Sequence, residues 1–172
     1  MNTPLPRRRT RLDSFIARLM AQRDCLDFAA GLIAGLHGPI LEIGLGNGRT
    51  FDHLRALFPD REIFVFDRVK QSHPGSTPDD AHFFLGDLRD TLPTARRRIG
   101  RPAALAHCDA GDSDPERATD LARFMGETLP TLLAPDAIVL ADRPLPIRGA
   151  TPLTLPASVP PQRYFGWRVA AA

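Results

Sequence analysis

Gly44, Gly46 and Gly48 alternate with Leu45 and Asn47 directly after the stretch Ile40-Leu41-Glu42-Ile43, and apolar residues recur at helical spacing from Thr50 to Phe58. A strand, a glycine-rich turn and a helix start in that order make a ligand cradle. Missing β-carbons let the backbone close on a bound molecule, and the first turn of a helix offers N–H groups that have no partner inside the helix. The chemistry this implies is binding, and the spacing decides what is bound.

A dinucleotide fingerprint reads G-x-G-x-x-G, but Arg49 stands where its third glycine would be. A phosphate-binding P-loop ends in Gly-Lys-Ser/Thr, which is missing as well. Glu42 adds a carboxylate at the strand end, unfavourable beside a pyrophosphate and favourable beside an ammonium group. Asp67 closes a second apolar strand, Glu62-Ile63-Phe64-Val65-Phe66, 23 residues after Gly44, where an acid can accept hydrogen bonds from both ribose hydroxyls. Together these residues favour a cofactor that carries an amino-acid portion and a ribose.

Leu41-Glu42-Ile43-Gly44-Leu45-Gly46-Asn47-Gly48 resembles the first motif of class I S-adenosylmethionine-dependent methyltransferases. Phe64-Val65-Phe66-Asp67 resembles that family's second-strand motif, and Gly86-Asp87 its third-strand acid. The resemblance covers about residues 38–142, and the chain as a whole is similar to a small group of bacterial methyltransferases. It implies S-adenosyl-L-methionine as cofactor and S-adenosyl-L-homocysteine as product. Glu42, Gly44, Gly46 and Gly48, with Leu45 and Asn47 between them, would then approach the methionine portion. Asp67 would hold the ribose with Arg68 beside it, Asp87 and Leu88 would flank the adenine, and Asp109 would complete the cofactor contacts.

Methyl transfer from a sulfonium is an in-line displacement, so the protein contributes alignment in a desolvated pocket and needs no catalytic triad. No catalytic residue is assigned. The candidates are His107, Asp109, Asp142 and Arg143, with Asp112 nearby, because they fall at the carboxyl ends of two later strands, where open α/β sheets bind ligands. All but Asp142 have a plainer reading: His107 as a hydrogen-bonded interior residue, Asp109 and Asp112 as turn or capping acids, Arg143 as a surface ion pair or a loop clamp. Arg143 otherwise suits a carboxylate or phosphate on the acceptor. Asp109 and Asp142 loosely match the acids of magnesium-dependent catechol-type enzymes, but Arg143-Pro144 follows the second acid and an arginine there disfavours a divalent cation, so no metal is expected. A small-molecule acceptor is expected. The alternatives are a protein methyltransferase and a cofactor-binding module without turnover.

The elements that must position these residues are legible in the periodicity. Leu12, Phe15, Ile16, Leu19, Leu26, Ala29, Ala30, Ile33 and Leu36 predict a long N-terminal helix with one buried face, ended by Gly38-Pro39. Three more strands are predicted at His82–Leu85, Ala103–Cys108 and Ala137–Ala141. A helix from Leu88 to Ile99, despite Pro93, and another after Asp114-Pro115 lie between them. Residues 70–80 read as a loop or a short helix. Six prolines from Pro144 to Pro161 forbid a continuous helix before Gln162–Val169, a last strand antiparallel to the rest. The fold class is thus α/β, three-layer, with a mostly parallel sheet and a long N-terminal helix, and the resemblance implies a Rossmann-like methyltransferase fold with a shortened C-terminal part. Its 172 residues form one domain, divided into a helical region (12–37), a cofactor-binding core (38–142) and a proline-rich arm with the final strand (143–172).

Composition narrows the partners. Twenty-two basic against 20 acidic residues give a net charge of +2, which favours neither nucleic acid nor a membrane surface. Arg7, Arg8, Arg9 and Arg11 cluster at the start and read as a solvated terminus. Cys25 and Cys108 carry no disulfide or zinc spacing, and no apolar run reaches membrane length, so a cytoplasmic protein is expected. The hydrophobic long helix and the abrupt tail predict a homo-oligomer.

Overall fold

The computed structural model describes residues 8–170. Arg7 of the basic cluster lies outside them, while Arg8, Arg9 and Arg11 are exposed. Helix α1 (Arg11–Leu32) starts at a reciprocal cap: the Thr10 side chain accepts from the Asp13 backbone N–H and the Asp13 carboxylate accepts from that of Thr10. It ends where Arg61 donates to the carbonyls of Ile33 and Gly38, satisfying groups the helix leaves open. Gly38 is required there, because its φ is +129° and a β-carbon would lie 2.3 Å from the Pro102 oxygen.

The buried face of α1 differs from the predicted stripe. Ala21, Gln22, Cys25, Leu26 and Ala29 are enclosed, whereas Leu12, Phe15, Ile16 and Met20 are 45–65% exposed. None of residues 11–20 is buried. The first turns direct Arg18 toward the body of the protein and leave the apolar side chains outside.

Strand β1 (Ile40–Ile43) is flanked in register by β2 (Ile63–Asp67) and by β4 (Ala103–Cys108), both parallel to it. Strand β3 (Phe83–Leu85) joins β2, and β5 (Leu133–Ala141) joins β4, again parallel. Strand β7 (Phe165–Arg168) runs antiparallel to β5 and pairs with the two-residue β6 (Thr151–Pro152). The order β3-β2-β1-β4-β5-β7-β6 brings the carboxyl ends of β1 and β4 side by side, with their turns to helices above them.

Strand alternation sends successive side chains to opposite faces. Leu41, Ile43 and Phe66 join a core with Leu88, Leu92, Met125 and Leu129, under α3 (Leu88–Thr91), α4 (Ala95–Ile99) and α5 (Pro115–Thr128). Ile40, Val65 and Leu105 join the other core with Leu26 of α1 and Leu54 of α2 (Arg49–Leu57). Each large aliphatic side chain so enclosed contributes about 1.5–3 kcal/mol. Phe66 and Phe84 stack with centroids 4.4 Å apart, joining β2 to β3.

Three local expectations change. The helix predicted over 88–99 is two short ones, because Pro93 cannot continue the ladder of intrahelical bonds. Strand β5 begins at Leu133, four residues before the predicted start, carried through Pro135-Asp136 by a register shift against β4, with Asp136 at φ +61°. Strand β6, at Thr151–Pro152, was not predicted, being too short to carry a period.

Candidate active site

The glycine loop leaves β1 with three residues in the left-handed region, each for its own reason. Gly44 has φ +95°, and a β-carbon there would sit 2.7 Å from the Asp109 carbonyl oxygen, so the turn after β1 and the turn after β4 touch only because Gly44 has no side chain. Gly48, at φ +81°, starts α2, and its β-carbon would sit 2.4 Å from the Ser76 oxygen. At Gly46, with φ +50°, a β-carbon would meet nothing within 4 Å. Gly46 alone of the three has open space where a side chain would go.

That space is a cavity of about 450 Å³, within the range of small-molecule and cofactor sites. Of the residues expected to contact a cofactor, Gly44, Gly46, Asp67, Arg68, Asp87, Leu88 and Asp109 line it. Asp67 ties the loop to β2: its Oδ2 accepts from the N–H groups of Leu45 (2.7 Å) and Gly46 (3.1 Å), and its Oδ1 from Val69 (3.1 Å). Asp87 caps α3 by accepting from the Arg89 N–H at 2.9 Å, which fixes its carboxylate at the cavity wall. Asp112, held below the ordinary carboxylate range chiefly by the Asp114 backbone N–H, also lines the cavity. Sequence reasoning missed Phe66, Arg89, Ala110, Gly111, Arg117, Asp120 and Leu121 on the same wall. Phe66, Arg89, Ala110 and Gly111 adjoin Asp67, Leu88 and Asp109 and so had a local signal, whereas Arg117, Asp120 and Leu121 had none.

Four expected contacts do not line the cavity: Glu42, Leu45, Asn47 and Gly48. The Leu45 side chain is packed in the core beneath α1 and α2, and only its N–H serves the loop. Asn47 is exposed, and Gly48 backs onto the Ser72–Ser76 loop. Glu42 is fully enclosed, because the pleat of β1 turns its side chain away from the Leu41 and Ile43 face. Its Oε1 accepts the Thr50 hydroxyl, and its Oε2 lies 2.6 Å from His107 Nδ1. The other imidazole nitrogen, Nε2, meets the Tyr164 hydroxyl at the start of β7.

His107 is therefore interior, as the plainer of its two readings had it, and does not reach the cavity. Burial alone would push the imidazole down. The Glu42 carboxylate beside it, aided by Asp109 and Asp142 farther away, outweighs that and holds it above the ordinary histidine value. Burial pushes the Cys108 thiol and the Tyr164 phenol well up, so both stay protonated.

The remaining candidates lie around the turns after β4 and β5. The Asp109 carboxylate accepts from Arg18 Nη2 and Gln22 Nε2 of α1, each at 2.6 Å. Asp142 is engaged by Arg143 through Nε at 3.0 Å and Nη2 at 3.2 Å, and neither residue lines the cavity. The Arg143 guanidinium lies over Gly111, where a β-carbon would be 2.4 Å from Nη2. Arg143 is thus clamped within its own turn. Among the described residues no group of three or more His, Cys, Asp or Glu side chains could hold a metal ion, and no helix is long and apolar enough to cross a membrane.

A parallel sheet of this strand order with a reversed last strand, a glycine loop at the carboxyl end of β1 and a cavity against that loop defines a Rossmann-like methyltransferase. The model of the S-adenosyl-L-methionine methyltransferase family matches residues 9–169, and this chain belongs to that family. The structure of an S-adenosyl-L-methionine methyl transferase from Silicibacter pomeroyi DSS-3 is 41% identical, with a TM-score of 0.86, over 94% of this chain and 99% of that one. The MycE methyltransferase of the mycinamycin biosynthetic pathway, in complex with Mg, SAH and mycinamycin VI, shares 14% identity at a TM-score of 0.58, over 92% of this chain and 49% of its own. The plantazolicin methyltransferase BpumL, in complex with a triazolic desmethylPZN analog and SAH, shares 14% identity at 0.50, over 73% of this chain and 46% of its own. These last two show the fold alone. No curated protein matches the chain in sequence. The protein is a methyltransferase, and its cofactor is S-adenosylmethionine.

Proposed function

We propose that the enzyme transfers a methyl group from S-adenosylmethionine to a small-molecule acceptor by in-line displacement, with the cofactor held in the cavity against Gly46. The observation that carries this reading is the pairing at the loop. Asp67 fixes the N–H groups of Leu45 and Gly46, while the missing Gly46 side chain leaves the cavity open beside them. The residues present fit the cofactor. Asp67 takes the ribose hydroxyls, with Arg68 beside it, and Asp87 and Leu88 flank the adenine. The Gly44 backbone approaches the amino-acid end next to Asp109.

When bound, the cofactor supplies a methyl group on a positively charged sulfur. The chain's own part is alignment and exclusion of water. No side chain is assigned as a base, since His107 is enclosed, Asp142 is engaged by Arg143 and Asp109 by Arg18 and Gln22. Near balance of charge, +2 overall, favours a small acceptor over nucleic acid. A homo-oligomer belongs to the same reading, through the exposed Leu12, Phe15, Ile16 and Met20 of α1; sedimentation showing only monomer at micromolar concentration would reject it.

The test is calorimetric titration with S-adenosylmethionine and S-adenosylhomocysteine for the intact protein, Gly46→Arg and Asp67→Ala. Both ligands should bind the intact protein, Gly46→Arg should abolish binding without unfolding, and Asp67→Ala should weaken it about tenfold or more. Unchanged binding by Gly46→Arg would move the site elsewhere. A screen of methyl acceptors follows, in which turnover only on protein substrates, or none at all, would replace the small-molecule reading.

A further inference from the structure

Arg18 and Asp109 form an ion pair whose hydrogen bonds are conspicuously incomplete. Arg18 Nη2 and Gln22 Nε2 both donate to one oxygen of Asp109, Oδ2, and no bond reaches Oδ1 among the described residues. The Arg18 Nε is buried with no hydrogen-bond partner, although the side chain as a whole is 44% exposed. The buried Arg18 donor is costly unless something completes it. Asp109 lines the cavity, and its carbonyl oxygen is 2.7 Å from the place of a Gly44 β-carbon, so Asp109, with Arg18 bonded to it, stands at the end of the cavity where the glycine loop passes.

We propose that Arg18 and Asp109 together recognise the amino-acid end of the cofactor, Arg18 taking its carboxylate and Asp109 its ammonium group. This rests on the assignment of the cavity to S-adenosylmethionine. A zwitterion placed there meets two protein charges each opposite in sign to its own, so no charge need be left unpaired when it binds. Several other charged groups nearby are already engaged. Glu42 is enclosed by Thr50 and His107, and Arg143 is held twice by Asp142. Arg89 and Arg117, elsewhere on the cavity wall, are paired with Asp120 and Asp112. Arg68, also on the cavity wall, follows Asp67 at the end assigned to the ribose, whereas Arg18 is bonded to Asp109, whose backbone passes beside Gly44. Arg18 also stands on the stretch of α1 that buries no side chain, residues 11–20, so a ligand held by Arg18 fastens that stretch to the sheet.

Calorimetry with three ligands tests this: S-adenosylhomocysteine, its decarboxylated analogue and 5′-methylthioadenosine, which lacks the whole amino-acid end. The wild-type protein should prefer S-adenosylhomocysteine to the decarboxylated analogue by about tenfold or more, the size expected for a charge-assisted hydrogen bond. In Arg18→Met, which keeps the aliphatic stem, that preference should fall to near unity while 5′-methylthioadenosine binds as before. Arg18→Lys should recover part of it. Thermal melts within a few degrees of wild type establish that the variants are folded. The proposal is overturned if Arg18→Met keeps the wild-type preference, or if it weakens S-adenosylhomocysteine and 5′-methylthioadenosine alike. Failure of the wild-type protein to bind any of the three would instead overturn the cofactor assignment beneath it.

Discussion

Glu42 and His107 meet across the β1–β4 pair with Oε2 2.6 Å from Nδ1 and neither side chain exposed to solvent. The same carboxylate accepts the hydroxyl of Thr50 in the first turn of α2. One buried acid therefore grips the chain on both sides of the glycine loop, which runs from Gly44 to Gly48 between these two points, and ties it to the Tyr164 hydroxyl through the imidazole. Removing one member of a buried ion pair leaves the other uncompensated, at about 3–5 kcal/mol. Glu42→Ala should lose stability on that scale in urea unfolding, and Thr50→Val, which removes a neutral donor, about 1–2 kcal/mol. A loss below 1 kcal/mol for Glu42→Ala would show that the pair does not hold the loop.

The same pair gives stability a dependence on pH. His107 is held above its ordinary value in the folded protein, burial being opposed and outweighed by the Glu42 carboxylate. A group whose folded value is raised contributes stability that is fully present below the unfolded value, about 6.5 for histidine, and that fades as pH climbs through the folded value. The melting temperature of wild type minus that of His107→Gln should therefore be largest near pH 6 and shrink toward pH 9. Cys108 and Tyr164, also raised, add losses of the same sign at higher pH. A difference that stays flat or grows across this range contradicts the assignment.

Gly46 and Gly48 share a left-handed backbone but not an environment. Gly48→Ala forces a β-carbon to within 2.4 Å of the Ser76 carbonyl oxygen, a backbone atom that cannot step aside alone. Gly46→Ala meets no atom within 4 Å and incurs only the backbone strain, about 1–2 kcal/mol. Thermal unfolding should place Gly48→Ala well below Gly46→Ala, at about 2–4 °C for each kcal/mol in a domain of this size. Equal melting temperatures would mean that the 72–76 loop yields without resistance.

Sequence alone determined the order of the five parallel strands and the identity of the loop. The strands Ile40–Ile43 and Ile63–Asp67 are short apolar runs broken only by Glu42 and closed by Asp67, and glycine positions need no tertiary contact to declare a tight turn. Asp67 and Asp87 were legible because each closes or follows such a run at the sheet's carboxyl edge, and both line the cavity. Tertiary structure decided which way the side chains point and what meets them across the chain. Glu42 reads as a ligand group at a strand end, but the pleat turns it inward, and the partner that makes burial tolerable, His107, is 65 residues away. Leu12, Phe15 and Ile16 fit a buried helical stripe, yet α1 begins to pack only at Ala21, and periodicity does not reveal where a helix outruns the sheet beneath it. Arg18, Gln22 and Tyr164 gave no signal for the same reason: each owes its place to contacts more than 50 residues distant in sequence, which the folded sheet creates and local spacing does not encode.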